Sequence, residues 1–315
     1  MTNSELIQQP QGREVSQAAS DDLYSQFINY IDASVNTIKT YTRSLHQWQH
    51  WTAEHNIKQP QREDVLAFKD YLIKTGHKAT TIQNYIIALR QFFNWTEVQH
   101  LYPNIARGIK GAKTSSGFKK DYLLPRQANQ VLKDIDTSTL RGKRDFAIDS
   151  LMLTGGLRTV EVSRANVEDL RPEGGVTVLF LQGKGRDDRN EYVKVAPHVE
   201  DAIRAYLKER GPVKANDPLF ASLSNNNHGG RMTTRSISGI AKDSMKAAGY
   251  DSSRLTAHSF RHTAATINLM QGGTLEETQQ LLRHRSINTT MIYAQNLKRA
   301  ANKSEGRIED AIFNS

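Results

Sequence analysis

HSFRH, residues 258–262, sets two imidazoles and one guanidinium within five positions, and Tyr293 follows thirty-one residues after its last histidine. His258 and Arg261 stand three apart, which on a helix is one face. Arg158 follows the glycine pair of TGGLR, Lys184 lies in the polar turn GKGRDDR, and His284 lies in the basic triplet Arg283, His284, Arg285, nine residues before Tyr293. Two guanidinium groups can grip the non-bridging oxygens of a phosphate bidentately and stay charged at any working pH. Lysine and imidazole can move protons. A phenol, with a pKa of about 10, becomes a nucleophile once something assists its deprotonation. Together these types fit attack on a phosphodiester. Each alone has an ordinary explanation. Arg158 pairs with Glu161 one turn later on a surface, Lys184 is a solvated hairpin tip, and the triplet answers a helix dipole. Three histidines also suggest zinc, but Arg261 between His258 and His262 would set a cation beside the metal. No metal and no cofactor are expected, because the arginines do the electrostatic work that divalent cations do elsewhere.

These groups need a scaffold that returns distant segments to one place. GKRDFAIDSLMLTGGLRTVEVSRAN reads as helix interrupted at Gly155 and Gly156, where a bare backbone lets a ligand approach closely. VTVLFLQ (176–182) and NEYVKV (190–195) are rich in β-branched residues and flank the Lys184 turn, which makes a β-hairpin. LPRQANQVLKDI, APHVEDAIRAYLKER, RSISGIAKDSMKAAG, FRHTAATINLMQ, TLEETQQLLRH and TTMIYAQNLKRAANK carry helical periods. Phe260 is the expected packing anchor of its segment and His262 its supporting structure. The whole of 122–315 is a mostly α domain with one small sheet and a C-terminal tail, in which RIEDAIF offers Ile308, Ile312 and Phe313 on an amphipathic stretch.

The N-terminal part differs. From 21 to 107 the chain reads helical throughout, with Val35, Ile38, Tyr41, Leu45, Trp48 and Trp51 at steps of three or four. Val65, Phe68, Tyr71 and Leu72 repeat the pattern, as do Ile82, Tyr85, Ile86, Leu89, Phe92 and Phe93. A small helical bundle follows, with these aromatic stripes as core. Residues 1–20 are polar and read as a disordered arm. Residues 108–121, within ARGIKGAKTSSGFKKDY, read as a basic linker. Arg107, Lys110, Lys113, Lys119 and Lys120 are its candidate DNA contacts.

A chain of 315 residues accommodates two such domains. Its net charge of +9 favours a polyanionic partner, and nucleic acid is the commonest one because Lys and Arg release counterions condensed on phosphates. The apolar fraction of 37% is that of a soluble globular protein, no run approaches the ~20 apolar residues of a membrane span, and the N-terminus lacks the apolar stretch of a signal peptide. Absence of cysteine excludes disulfides, thiolate metal sites and a cysteine nucleophile, which suits a cytoplasmic address.

The order TGGLR, lysine hairpin, HSFRH, LLRH, TTMIY resembles the boxes of the tyrosine recombinases, or phage integrase family. TGGLR matches a TGLR-like motif, HSFRH matches HxLRH with Phe260 for leucine, and LLRH followed nine residues later by Tyr293 matches an LGH box with its tyrosine, with Thr290 three before it. The match by motif spans 123–295, while the N-terminal helices fit a core-binding domain in size and position. Two positions depart: Arg283 stands where glycine is usual, which bears on how closely that loop approaches DNA, and Gln295 stands where histidine is frequent. The resemblance implies an enzyme in which Tyr293 attacks DNA to give a 3′-phosphotyrosyl link. In it Arg158 and Arg261 grip the phosphate, Lys184 protonates the leaving oxygen, His258 takes the tyrosine proton and His284 donates a hydrogen bond. It implies double-stranded recombination sites as substrate, and a homotetramer on two sites held through the C-terminal tail. A mobile-element integrase and a Xer-like resolver of DNA dimers both fit. Two alternatives stay open, a type IB-like topoisomerase and a non-catalytic regulator using TLEETQQLLRHRSINTTMIYAQ as a helix-turn-helix.

Overall fold

In the computed structural model, residues 17–113, 121–182 and 190–314 are described. The chain divides into two compact units, Met1–Ser116 and Gly117–Ser315.

The first unit consists of α1 (Gln17–Tyr30), α2 (Val35–Glu54), α3 (Arg62–Lys74) and α4 (Ala79–Val98). Ser34 caps α2 by accepting a hydrogen bond from the Thr37 amide at 3.3 Å, which satisfies one of the donors a helix start leaves open. The aromatic stripes are core: Trp48, Trp51, Phe68, Phe92 and Phe93 are all buried, and Trp48 meets Phe68 edge-on with centroids 5.2 Å apart. Three expectations need correction. Helix α1 begins at Gln17, so the stretch read as a disordered arm to residue 20 is helical in its last four positions, while residues before 17 lie outside the described ones. Val35, counted in the stripe of α2, is exposed, because the buried face starts further into the helix. The packed unit also runs past the helices: Ile105, Ala106 and Ile109 join its core, so the first residues read as linker are part of the bundle. Apolar side chains, not composition in glycine, decide where the packing stops.

The second unit has α5 (Pro125–Lys133), α6 (Leu140–Gly155) and α7 (Thr159–Arg164), then β1 (Leu170–Glu173), β2 (Val176–Leu181) and β3 (Glu191–Lys194). Next come α8 (Pro197–Arg210), α9 (Thr234–Ala247), α10 (Ala257–Met270), α11 (Leu275–Leu282), α12 (Ile287–Ala300) and α13 (Ser304–Phe313). The fold is mainly α with one small sheet. Helix α6 runs through its middle, touching α5, α8, α9 and α10, and Ala147, Ile148, Leu151 and Met152 bury completely or nearly so. The expected hairpin is present, with Leu181 opposite Glu191 at the last described pair. Its tip, Lys184 included, lies outside the described residues. Strand β1 was not legible in the sequence, since LRPE has one apolar residue and a proline. It pairs antiparallel with β2 at the edge of the sheet, the place where a proline is tolerated.

Candidate active site

Four short segments build the site. Helix α6 ends at Gly155, and Gly156 turns the chain with φ 59° and ψ 33°, the left-handed region glycine enters without cost. A Cβ at Gly156 would stand 2.7 Å from Leu282 Cδ2. The bare backbone therefore serves a neighbouring helix, not the ligand expected to approach it. Two residues on, Arg158 is the N-cap of α7, and the Glu161 carboxylate accepts from its amide at 2.8 Å. The acid sits at a helix start, where its charge is favoured.

From α10, His258 stands exposed in the first turn while Phe260 and Arg261 turn inward. Phe260 lies wholly in the core. Arg261 donates through Nη1 to Gly156 O at 2.5 Å and through Nη2 to Leu282 O, so it ties the α6–α7 break to the end of α11, answering carbonyls that a helix C-terminus leaves unpaired. From α12, Thr290 and Tyr293 stand one turn apart and both are buried. His284, in the turn between α11 and α12, has its Nδ1 2.8 Å from Thr290 Oγ1, and its ring lies nearly parallel to that of Tyr293 with centroids 6.3 Å apart.

The structure thus brings together Arg158, Arg261, His284 and Tyr293, and adds groups that the sequence did not mark as part of the site. His262, read as support, has its ring 5.3 Å from that of Tyr293, and His258 meets His262 edge-on at 4.6 Å. Glu161, read as the acid of a surface pair, is 1% exposed. It does pair with Arg158 Nη1 at 2.8 Å, and it also pairs with Arg283 Nη2 at 2.9 Å. A cleft of about 630 Å³ opens beside Arg158 and His258, with Ser238 and Lys242 from α9 in its wall.

Three guanidinium groups around one carboxylate leave an excess of positive charge. Burial pushes the Tyr293 phenol up, against the pull of Arg261 and Arg158, so it holds its proton at neutral pH. Burial, and next Arg261, push His284 down to about 4, and burial with His258 pushes His262 down to about 3. Both rings are neutral at pH 7. Burial and the neighbouring Arg158 push Arg261 down to about 9. It stays charged at neutral pH. Around Glu161, burial opposes the charge, but Arg283, the Arg158 amide, Arg158 and Arg261 outweigh it and hold the carboxyl low. The arrangement can grip an anion, orient it against a phenol and accept the phenol's proton.

A model of the phage integrase family matches residues 121–299, more than half of the chain, and a model of the phage integrase N-terminal SAM-like domain matches residues 21–100. The chain belongs to the phage integrase family. It is a tyrosine-type site-specific DNA recombinase. Among its relatives, the tyrosine recombinase XerD of Listeria innocua is 29% identical over 290 residues, covering 87% of this chain and 93% of that protein. The tyrosine recombinase XerC of Herpetosiphon aurantiacus is 29% identical over 280 residues, covering 85% and 88%. The fold resembles that of the XerH site-specific recombinase bound to palindromic difH substrate in a post-cleavage complex, with a TM-score of 0.71, 24% identity, and coverage of 90% of this chain and 84% of that one.

In this recombinase the departures from the motifs have different weights. Gln295 is exposed on α12, while the Arg283 side chain is 5% exposed and enters the site. Of the basic candidates near residue 107, Arg107 is exposed and ion-paired with Glu97 of α4, Lys110 and Lys113 are exposed, and Lys119 and Lys120 lie outside the described residues. A basic face that the sequence reading missed lies on α2: Lys39, Arg43, His46 and His50, spaced at helical steps and exposed opposite Leu45, Trp48 and Trp51. Its signal in the sequence is the helical period alone, at steps of four, three and four residues.

Proposed function

We propose that Tyr293 is the nucleophile of strand cleavage and that Arg158, Arg261, His258, His284 and Lys184 are its catalytic partners. The Tyr293 oxygen forms a bond to the scissile phosphorus, the bond from phosphorus to the 5′ oxygen breaks, and a 3′-phosphotyrosyl link stores its energy. A 5′ hydroxyl from the partner strand later reverses the step without ATP. Charge grows on the non-bridging oxygens, where Arg158 and Arg261 are the donors; loss of one preorganised donor of this kind costs about 3 kcal/mol of barrier. Thr290 donates to His284 Nδ1, which keeps a proton on Nε2 for the phosphate. His258 receives the phenol proton beside the neutral His262, and Lys184 supplies one to the leaving oxygen. One observation carries this reading: segments 135 positions apart in sequence, from Arg158 to Tyr293, converge on one buried, positively charged site.

The N-terminal helices are the DNA-gripping domain in this reading, with α2's basic face tracking phosphates, and Lys110, Lys113, Lys119 and Lys120 contribute along the linker. The exposed Ile308, Ile312 and Phe313 of α13 support a tail that docks on a second copy and links a homotetramer on two DNA sites in the cytoplasm. Both dimer resolution and movement of a mobile element use this chemistry. The test is a nicked duplex, selected from a random library by binding to the wild-type chain. Wild type forms a covalent adduct that survives denaturation and Tyr293→Phe forms none, with strand exchange between two duplexes following the adduct. A wild type that binds the duplex and forms no adduct overturns the reading.

A further inference from the structure

Arg283 occupies a position where its own backbone is unfavourable. It closes α11 with φ 53° and ψ 48°, the left-handed region that disfavours any residue carrying a Cβ. Glycine would sit there without strain, so the side chain must compensate. It donates through Nη1 to Leu281 O at 2.6 Å and to Gly155 O at 3.4 Å, and through Nη2 to Gly156 O at 3.3 Å and Glu161 Oε2 at 2.9 Å. The turn that carries His284 is thereby fastened to the break that carries Arg158.

The link to Glu161 has the larger consequence. This carboxylate is 1% exposed and its two oxygens are divided: Oε1 takes Arg158 Nη1, while Oε2 takes the Arg158 amide and Arg283 Nη2. Arg158 therefore faces a choice when a phosphate arrives. Turning its guanidinium to the phosphate withdraws the partner of Oε1, and a buried charge that loses its partner is strongly penalised. We propose that Arg283 is a positioning residue for cleavage: by holding Oε2 of Glu161, it keeps that buried charge compensated while Arg158 engages the phosphate. Arg261 is close enough to Glu161 to add to this field, but its η nitrogens reach the carbonyls of Gly156 and Leu282 and not that carboxylate. Arg283 thus acts through Glu161 and does not touch DNA.

This inference rests on the tyrosine reading above, and the same nicked duplex tests both. Arg283→Gly removes the guanidinium and relieves the backbone, so the variant should fold. The expected result is a single-turnover adduct rate at saturating DNA lowered by about ten-fold or more, with the DNA dissociation constant within about two-fold of wild type. On a Glu161→Gln background the same change should cost less than about two-fold, since the group it acts through is already neutral. Arg283→Lys restores a cation without the planar fork and should recover part of the rate; it also stands in for the glycine variant if that one fails to fold. A wild-type rate in Arg283→Gly, a loss seen in DNA affinity instead of rate, or a full additional loss on the Glu161→Gln background would overturn the proposal. Failure of wild type to form any adduct would instead remove the tyrosine reading beneath it.

Discussion

The two units bury different things. In the N-terminal bundle the buried polar side chains among the described residues are Ser44 and Thr96, and each returns its hydroxyl to a carbonyl of its own helix, Thr40 O at 2.8 Å and Phe93 O at 3.0 Å. The rest of its buried core is hydrophobic and much of it aromatic, with Trp51 Nε1 and Asn104 Oδ1 as further buried polar atoms. The C-terminal unit has a comparable apolar core but also buries Arg144, Asp149, Glu161, Asp169 and Arg261. Charges taken out of water are expensive unless paired, so a fold selected for stability alone would resemble the first unit. The second holds Arg261 at 1% exposure with its η nitrogens on two backbone carbonyls, which fixes a cation beside Tyr293, the nucleophile proposed above. Rigidity at the site is obtained by charged groups that the core has to compensate.

Substitutions can break or sharpen that contrast. The largest effect on stability is expected in the apolar unit. Phe68→Ala empties a fully buried ring position that Trp48 and Trp51 pack against and should lower unfolding free energy by about 3–5 kcal/mol in urea denaturation, while the adduct rate at saturating DNA stays near wild type. A collapse of that rate with the fold intact would dissolve the division of labour. Arg261→Ala should cost about 2–3 kcal/mol in the same measurement, because Leu282 O loses its donor and Gly156 O keeps only the longer bond from Arg283, and the adduct rate should fall about a hundred-fold or more. Stability loss without rate loss would make this arginine merely structural. Gly156→Ala should cost about 2 kcal/mol in thermal unfolding, from the left-handed backbone and a Cβ 2.7 Å from Leu282 Cδ2.

The smallest change concerns Asp149. Burial, partly opposed by the Ser244 hydroxyl, pushes its carboxyl up to about 8. The folded chain thus keeps a proton that the unfolded chain releases near the usual carboxylate value, so this group's contribution to stability is full at low pH and falls as pH rises, levelling off above about 8. Between pH 5 and pH 6 wild type should lose about 1.4 kcal/mol per pH unit relative to Asp149→Asn, which carries no such proton. Parallel urea curves at the two pH values measure it, and equal slopes would show that the unit buries this acid without consequence.

Much of this was legible in the chain itself. Helical periods in LHQWQHW and in IQNYIIALRQFF are strong because one face of each helix is wholly apolar, and the β-branched runs on either side of Lys184 left no other reading than a hairpin. The order of TGGLR, HSFRH, LLRH and Tyr293 determined which residue types were available for phosphate chemistry and named the family they resemble. The edge strand β1 was illegible because it is held by backbone pairing with β2, which LRPE does not encode in its side chains. The packed stretch around Ala106 and Ile109 was masked by the glycines beside it.

What the tertiary structure decided was how those groups share one another. Sequence places Glu161 one turn from Arg158 and makes a surface pair of them; only the packing of α11 against the α6–α7 break buries that acid and gives it a second cation. Likewise, sequence marks Arg283 as a residue out of place, but its role depends on carbonyls at 155, 156 and 281 and a carboxylate at 161. Periodicity and motif spacing report a chain's local geometry, where neighbours are three or four residues away. The field in this buried cluster of charges is a sum over groups more than a hundred residues apart, and their separation exists only after folding.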